Sequence, residues 1–334
     1  MIDNKEQENE WLIGNRSLPV PDGASNLLRK VIENTPAPDV VASLKSVPKS
    51  EDEWLAIIAE ADNEMMEWVR IIIKESPVSI ETGDIEGVTV YRVIPEDIDP
   101  RHDQHLFIYI HGGGYMLFGG EAGLGEAIYI ARSAKIPVLS IDYRMPPHHP
   151  FPAGLEDVLT IYNSLLGHRS AQSIALGGLS AGGGLALAAV HEFIQLGLEV
   201  PGAFYVGTPW ADLTKTGDSY WINEGIDRIL TTYDGDLTEQ ARIYAGGQDL
   251  KNPLLSPIYG DFNGFPPTYL VTGTRDLFLS NTVRVHTKLR AAGVVADLLV
   301  FEGMSHADYF FEVDLPESRQ TYAELNAFLI KHLK

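Results

Sequence analysis

Short apolar runs recur along this chain at Leu106–Ile110, Ile136–Ile141, Ser173–Leu176, Ala203–Val206, Thr268–Val271 and Ala296–Phe301. Each has the length of a buried strand, too short for a packed helix. Most spacers between them, at 121–134, 152–166, 182–196 and 281–292, have the pattern of helices. Strands alternating with helices require crossover connections, and crossovers lead to a mostly parallel sheet covered on both faces. The expected fold class is therefore α/β, with a central sheet flanked by helices. Ahead of this block, Val78–Glu81 and Val88–Val93 form two antiparallel strands joined through the region of Gly83 and Gly87.

Up to about residue 76 the period is helical. Ser50-Glu51-Asp52-Glu53 fits a capping box, and Trp54, Ile57, Ile58, Ala61, Met65, Trp68, Val69 and Ile72 follow at helical spacing. The spacing predicts one long amphipathic helix. A shorter one is expected after Ser25, with Leu27, Leu28, Val31 and Ile32 on one side. Such stripes ordinarily pack a core; the alternative is that they line a substrate pocket. Between Val206 and Thr268 lie about sixty residues, too many for a simple crossover. They carry Trp210, Tyr220, Trp221, Tyr233 and Tyr244, and an inserted element accounts for them. The expected division is 1–76 as a helical cap segment, 77–207 as the first part of the α/β core, 208–250 as a cap insertion and 251–334 as the rest of the core. The two cap pieces should form a lid over the C-terminal edge of the sheet, where open α/β sheets bind ligands.

Charge narrows the partners. Lys plus Arg number 25 against 46 Asp plus Glu, a formal −21, and such a surface repels phosphate backbones and anionic headgroups alike. Nucleic acid is not an expected partner. No stretch approaches eighteen uninterrupted apolar residues, so stable membrane insertion is not expected either. The acidic start, 1–10, has neither the basic lead nor the apolar run of a secretory signal, and the expected compartment is the cytoplasm. The chain has no cysteine, which removes thiolate metal sites and cysteine nucleophiles. His102-x-x-His105 and His148-His149 lack a carboxylate at ligand spacing, and no phosphate-binding glycine motif stands in the right context. Neither metal nor cofactor is expected.

Two glycine-rich turns carry the chemistry. Gly178-x-Ser180-x-Gly182 lies between the strand ending at Leu176 and the helix carrying Leu185, Leu187, Val190 and Phe193, the strand–turn–helix setting that a G-x-S-x-G nucleophile elbow requires. A serine on so tight a turn has strained backbone geometry, and side chains two residues either side would collide with neighbouring elements. The turn also leaves the next amide at a helix N-terminus, where developing negative charge is favoured. The second turn, His111-Gly112-Gly113-Gly114-Tyr115, directly follows Leu106–Ile110. Three glycines let backbone amides approach a ligand oxygen, as acyl transfer needs. Because both turns follow strands of a parallel sheet, both fall on one edge.

A serine nucleophile needs a base, and the base an orienting acid. Asp276 follows the strand Thr268–Val271 and His306 follows Ala296–Phe301. Asp308 and Asp212 are the substitutes for the acid. Among the other histidines, His111 belongs to the glycine turn, His191 and His286 lie on expected helices, and His102, His105, His168 and His332 read as solvated.

The H-G-G-G-Y and G-L-S-A-G-G segments, with Tyr143-Arg144-Met145-Pro146-Pro147-His148-His149-Pro150-Phe151-Pro152-Ala153 and Glu156-Asp157 between them, resemble the hormone-sensitive-lipase family of α/β-hydrolases, in its microbial carboxylesterase branch. The similarity runs from about residue 85 to the C-terminus. Many members have Asp or Thr where Leu179 precedes the serine here. The resemblance implies an α/β-hydrolase fold with a helical cap, built from the N-terminus and an insertion after the sixth core strand. It implies the triad Ser180, Asp276 and His306, with the backbone amides of Gly113, Gly114 and Ala181 as the oxyanion hole. The implied activity is hydrolysis of small-molecule esters with short to medium acyl chains, without a cofactor; the aromatic residues near Trp210 and Trp221 are candidates to bound such a pocket. Relatives often dimerise through the last strand and helices, so a homodimer is a possible assembly. The same resemblance takes in plant gibberellin receptors, which can lose the histidine, and leaves amide or peptide bonds as alternative substrates.

Overall fold

The computed structural model describes residues 17–334, so the acidic start lies outside the described residues. The elements, in order, are α1 (Asn26–Asn34), α2 (Val40–Lys45), α3 (Glu51–Glu75), β1 (Val78–Ile85), β2 (Val88–Pro95), β3 (Leu106–Ile110), α4 (Gly125–Ala134), β4 (Val138–Ile141), α5 (Ala153–Leu166), β5 (Ile174–Leu179), α6 (Ala181–Gln195), β6 (Ala203–Gly207), α7 (Ser219–Ile222), α8 (Asp236–Ala245), β7 (Thr268–Gly273), α9 (Leu279–Ala291), β8 (Ala296–Phe301), α10 (Asp308–Phe311) and α11 (Pro316–His332). One eight-stranded sheet has the order β1-β2-β4-β3-β5-β6-β7-β8. β1 pairs antiparallel with β2, and β2 with β4. All later pairings are parallel. The C-terminal ends of β3, β5, β6, β7 and β8 therefore share one edge.

Strand alternation splits the core in two. Ile108, Ile110, Leu176, Phe204, Val206 and Leu270 face one side, where α5, α6 and α9 supply Val158, Leu187 and Val285. Phe107, Tyr109, Ala175, Tyr205, Tyr269 and Val271 face the other, against α4 and α11 with Ile128, Tyr322 and Leu325. That second layer also holds Leu28, Val69 and Ile72 from the N-terminal helices. Within it Glu126 is fully buried: Tyr205 donates to its Oε1 at 2.7 Å, and burial pushes its carboxyl up to about 7.

The structure departs from the sequence reading at several points, each for its own physical reason. β5 continues through Gly177 and Gly178 to Leu179, beyond the apolar run, because those positions cannot hold a side chain. A Cβ on Gly177 would lie 2.7 Å from Tyr205. α3 is capped by Ser50, whose hydroxyl accepts from Glu53 N at 3.2 Å, but Glu53 returns its bond to the Lys49 amide at 2.6 Å. Leu27 is 44% exposed while Leu28 is buried, so the short helix has a narrower inner face than its pattern suggested. His102 is not solvated. It is buried, with Nδ1 2.9 Å from His105 Nδ1 and Nε2 3.2 Å from Asn326 Oδ1 on α11. α11 stood outside the expected elements. No helix among the described residues is long and apolar enough to cross a membrane.

Candidate active site

The turn between β5 and α6 places Ser180 at φ 56° and ψ −122°, a region that costs an ordinary residue about 1–3 kcal/mol. Its surroundings explain the glycines. A Cβ on Gly178 would stand 2.5 Å from Ile110 O, and one on Gly182 only 2.1 Å from the same oxygen. The Ser180 amide donates to Gly207 O at 2.8 Å, and Trp210 N donates to Ser180 O at 2.9 Å. The strained residue is thus pinned by β6 and the segment after it.

The residues singled out in the sequence meet here. His306 Nε2 lies 2.9 Å from Ser180 Oγ, and His306 Nδ1 lies 3.1 Å from Asp276 Oδ1. Asp276 and His306 are both buried. Asp276 Oδ1 also accepts from Phe278 N at 2.7 Å, and Oδ2 from the hydroxyls of Thr272, at 2.7 Å, and Thr208. A carboxylate with that many donors is held in one orientation. Neither substitute acid contacts the imidazole. Asp308 pairs with Arg228, and Asp212 with Arg284 and Thr214.

The glycine turn after β3 faces this relay. Gly113 and Gly114 have φ of 103° and 60°, where only glycine is unstrained. A Cβ on Gly113 would lie 2.4 Å from Leu117 O. Among the described residues the amides of Gly113, Gly114 and Ala181 donate to no protein acceptor, whereas Gly113 O accepts from Met116 N and Leu117 N at 3.0 and 2.9 Å. The turn is closed by its carbonyl, leaving the amides free.

Sequence reasoning missed several supporting groups. Asp227, in the inserted segment, is fully buried between the loops that carry Asp276 and His306. Its Oδ2 accepts from Leu277 N at 2.7 Å, and its Oδ1 from Ile229 N at 2.9 Å and from His306 N at 3.4 Å. Burial first, and then the Asp276 charge, push its carboxyl up to about 6, while His306 opposes the rise. Beside it, Arg228 donates to Ser305 Oγ and pairs with Asp308, both within two residues of His306. Thr208 follows β6 at the active edge, where a strand-end polar residue is itself a readable signal.

A cavity of about 280 Å³ opens over Ser180 and His306. Its wall combines Gly112 to Gly114 with Met65 of α3, Trp210, and Ile229 to Thr232 of the inserted segment. The helical stripe of α3 therefore serves both uses: Trp54, Val69 and Ile72 are buried and Met65 lines the cavity. Trp221 does not bound it. The residue is 62% exposed, with Lys215 Nζ 3.9 Å from its ring centroid, because α7 turns that side chain to solvent.

With this geometry in hand, likeness to known proteins acquires meaning. A family profile described as the alpha/beta hydrolase fold matches residues 107–310. An acetyl-hydrolase of Streptomyces hygroscopicus is 32% identical over 252 residues, covering 75% of this chain and 83% of that protein. The crystal structure of an esterase superposes with a TM-score of 0.95 at 54% identity, covering 98% of this chain and 100% of the other. That of an esterase from the bacterial hormone-sensitive lipase family gives 0.77 at 30% identity, over 93% and 99%. The sheet order, the two glycine turns and these matches place the chain in the α/β-hydrolase family, in its hormone-sensitive-lipase-like branch.

Proposed function

We propose that the protein is a serine carboxylesterase acting on small-molecule esters through Ser180, His306 and Asp276. The observation that carries the reading is the unbroken line from Ser180 Oγ to His306 Nε2 and from His306 Nδ1 to Asp276, opening onto a cavity flanked by unpaired amides. Ser180 Oγ attacks the ester carbonyl as His306 Nε2 takes its proton, and the imidazolium is stabilised by Asp276 through Nδ1–H. The carbonyl oxygen, now an anion, is held by the amides of Gly113, Gly114 and Ala181. The tetrahedral intermediate collapses with cleavage of the bond to the alcohol, which leaves with the proton from His306. Water, deprotonated by the same imidazole, then attacks the acyl-Ser180 ester and frees the acid. Non-catalytic ligand binding on this fold has no need of the intact relay, and the esterase reading is preferred for that reason.

The helical segments up to residue 76 and the insertion 208–250 act as a cap in this reading, since both contribute to the cavity wall. The size of the cavity supports short to medium acyl chains, because sites for drug-sized ligands span about 300–1,000 Å³. Across p-nitrophenyl esters from acetate to palmitate, kcat/KM is expected to peak between butyrate and octanoate. A maximum at palmitate would overturn this preference.

A further inference from the structure

α8 turns a polar face toward the cavity. Asp236, Leu237 and Gln240 all line it, and Asp236 and Gln240, four residues apart, share one side of the helix. Gln240 is only 7% exposed, yet its carboxamide bonds to no group among the described residues. It stands against the glycine turn: a Cβ on Gly114 would lie 2.1 Å from Gln240 Oε1. Asp236 Oδ1 is buried and likewise without a partner. Buried polar atoms in native folds are nearly always paired, so the unpaired Asp236 Oδ1, beside a carboxamide with no bond of its own, calls for an explanation on a ligand cavity. The position of Asp236 at the start of α8 favours a carboxylate there, although burial raises its pKa. Among the described residues the cavity wall includes no Lys or Arg to neutralise it.

We propose that Asp236 and Gln240 form a polar subsite that selects esters carrying a hydrogen-bond donor, a hydroxyl or protonated amine, on the part of the substrate that lies along α8. The inference rests on the esterase reading and adds a substrate class to it. The Asp236 carboxylate accepts the donor, and the Gln240 carboxamide, which both donates and accepts, closes around the same substituent. Plain alkyl esters fit the cavity but leave these atoms unsatisfied, and a site built to pair with a substrate hydroxyl discriminates against analogues that lack it.

The test compares matched substrates on the full chain. One set is p-nitrophenyl butyrate with its 3-hydroxy and 3-amino counterparts; the other is propyl butyrate with 2,3-dihydroxypropyl butyrate. The expected result is a kcat/KM ratio favouring the donor-bearing ester by about tenfold or more in at least one set, as a hydrogen bond to a charged group warrants. Asp236→Ala should bring that ratio near one. Asp236→Asn, which keeps the shape and an acceptor, should retain more of the hydroxyl preference than of the amine preference. Gln240→Leu should lower the ratio as well. Ratios near one in both sets, or a ratio that survives Asp236→Ala, would overturn the subsite. Plain butyrate distinguishes the two failures: its Ser180-dependent hydrolysis without any preference removes only the subsite, whereas no Ser180-dependent hydrolysis of any ester removes the esterase reading beneath it.

Discussion

Ser180→Ala is expected to lower kcat on p-nitrophenyl butyrate by about 10⁴- to 10⁶-fold, the scale on which serine hydrolases lose turnover without their attacking oxygen. The substitution removes one atom whose hydrogen bond is to His306 Nε2. Alanine retains the backbone bonds to Gly207 O and from Trp210 N that hold the turn. The fold should therefore persist, and the melting temperature should move by only a few degrees, as for other small changes without a cavity or orphaned group. Steady-state kinetics with a melting curve on the same preparation checks both halves. A near-normal rate in the folded variant would remove Ser180 from the reaction.

Gly113→Ala should have the next largest effect, a loss of about 100- to 1,000-fold in kcat, as when one oxyanion donor is lost. The new methyl would sit 2.4 Å from Leu117 O at a φ of 103°. Since Leu117 N closes the turn on Gly113 O, the backbone must shift, and the amides move with it. These amides meet charge that develops only in the transition state, so kcat should fall much more than KM rises. A change confined to KM would show that the turn only binds the ground state.

Much of this site was legible in the sequence because its parts are backbone devices. A glycine run marks a place where carbonyls come within 2.1–2.5 Å of where a Cβ would be, and strand–turn–helix order fixes the edge on which it lies. Asp276 and His306 were legible for a related reason, as each follows a strand whose direction a parallel sheet dictates. The inserted segment obeys no such constraint. Asp227 and Gln240 acquire their positions from contacts about 50 to 130 residues away in sequence, and no local period encodes these. His102 shows the converse error. A charged, loop-like neighbourhood suggested solvent, but α11 packs over it with Asn326. Trp221 and Trp210 differ only in which way the local chain turns them, which composition cannot reveal.

The central claim is that Ser180 is a nucleophile activated by His306. Treatment with a fluorophosphonate followed by peptide mass spectrometry tests it most directly. One adduct per chain is expected, on the peptide containing Ser180, with labelling slowed by orders of magnitude in His306→Ala. An adduct at another residue, or labelling of His306→Ala at the wild-type rate, would contradict it.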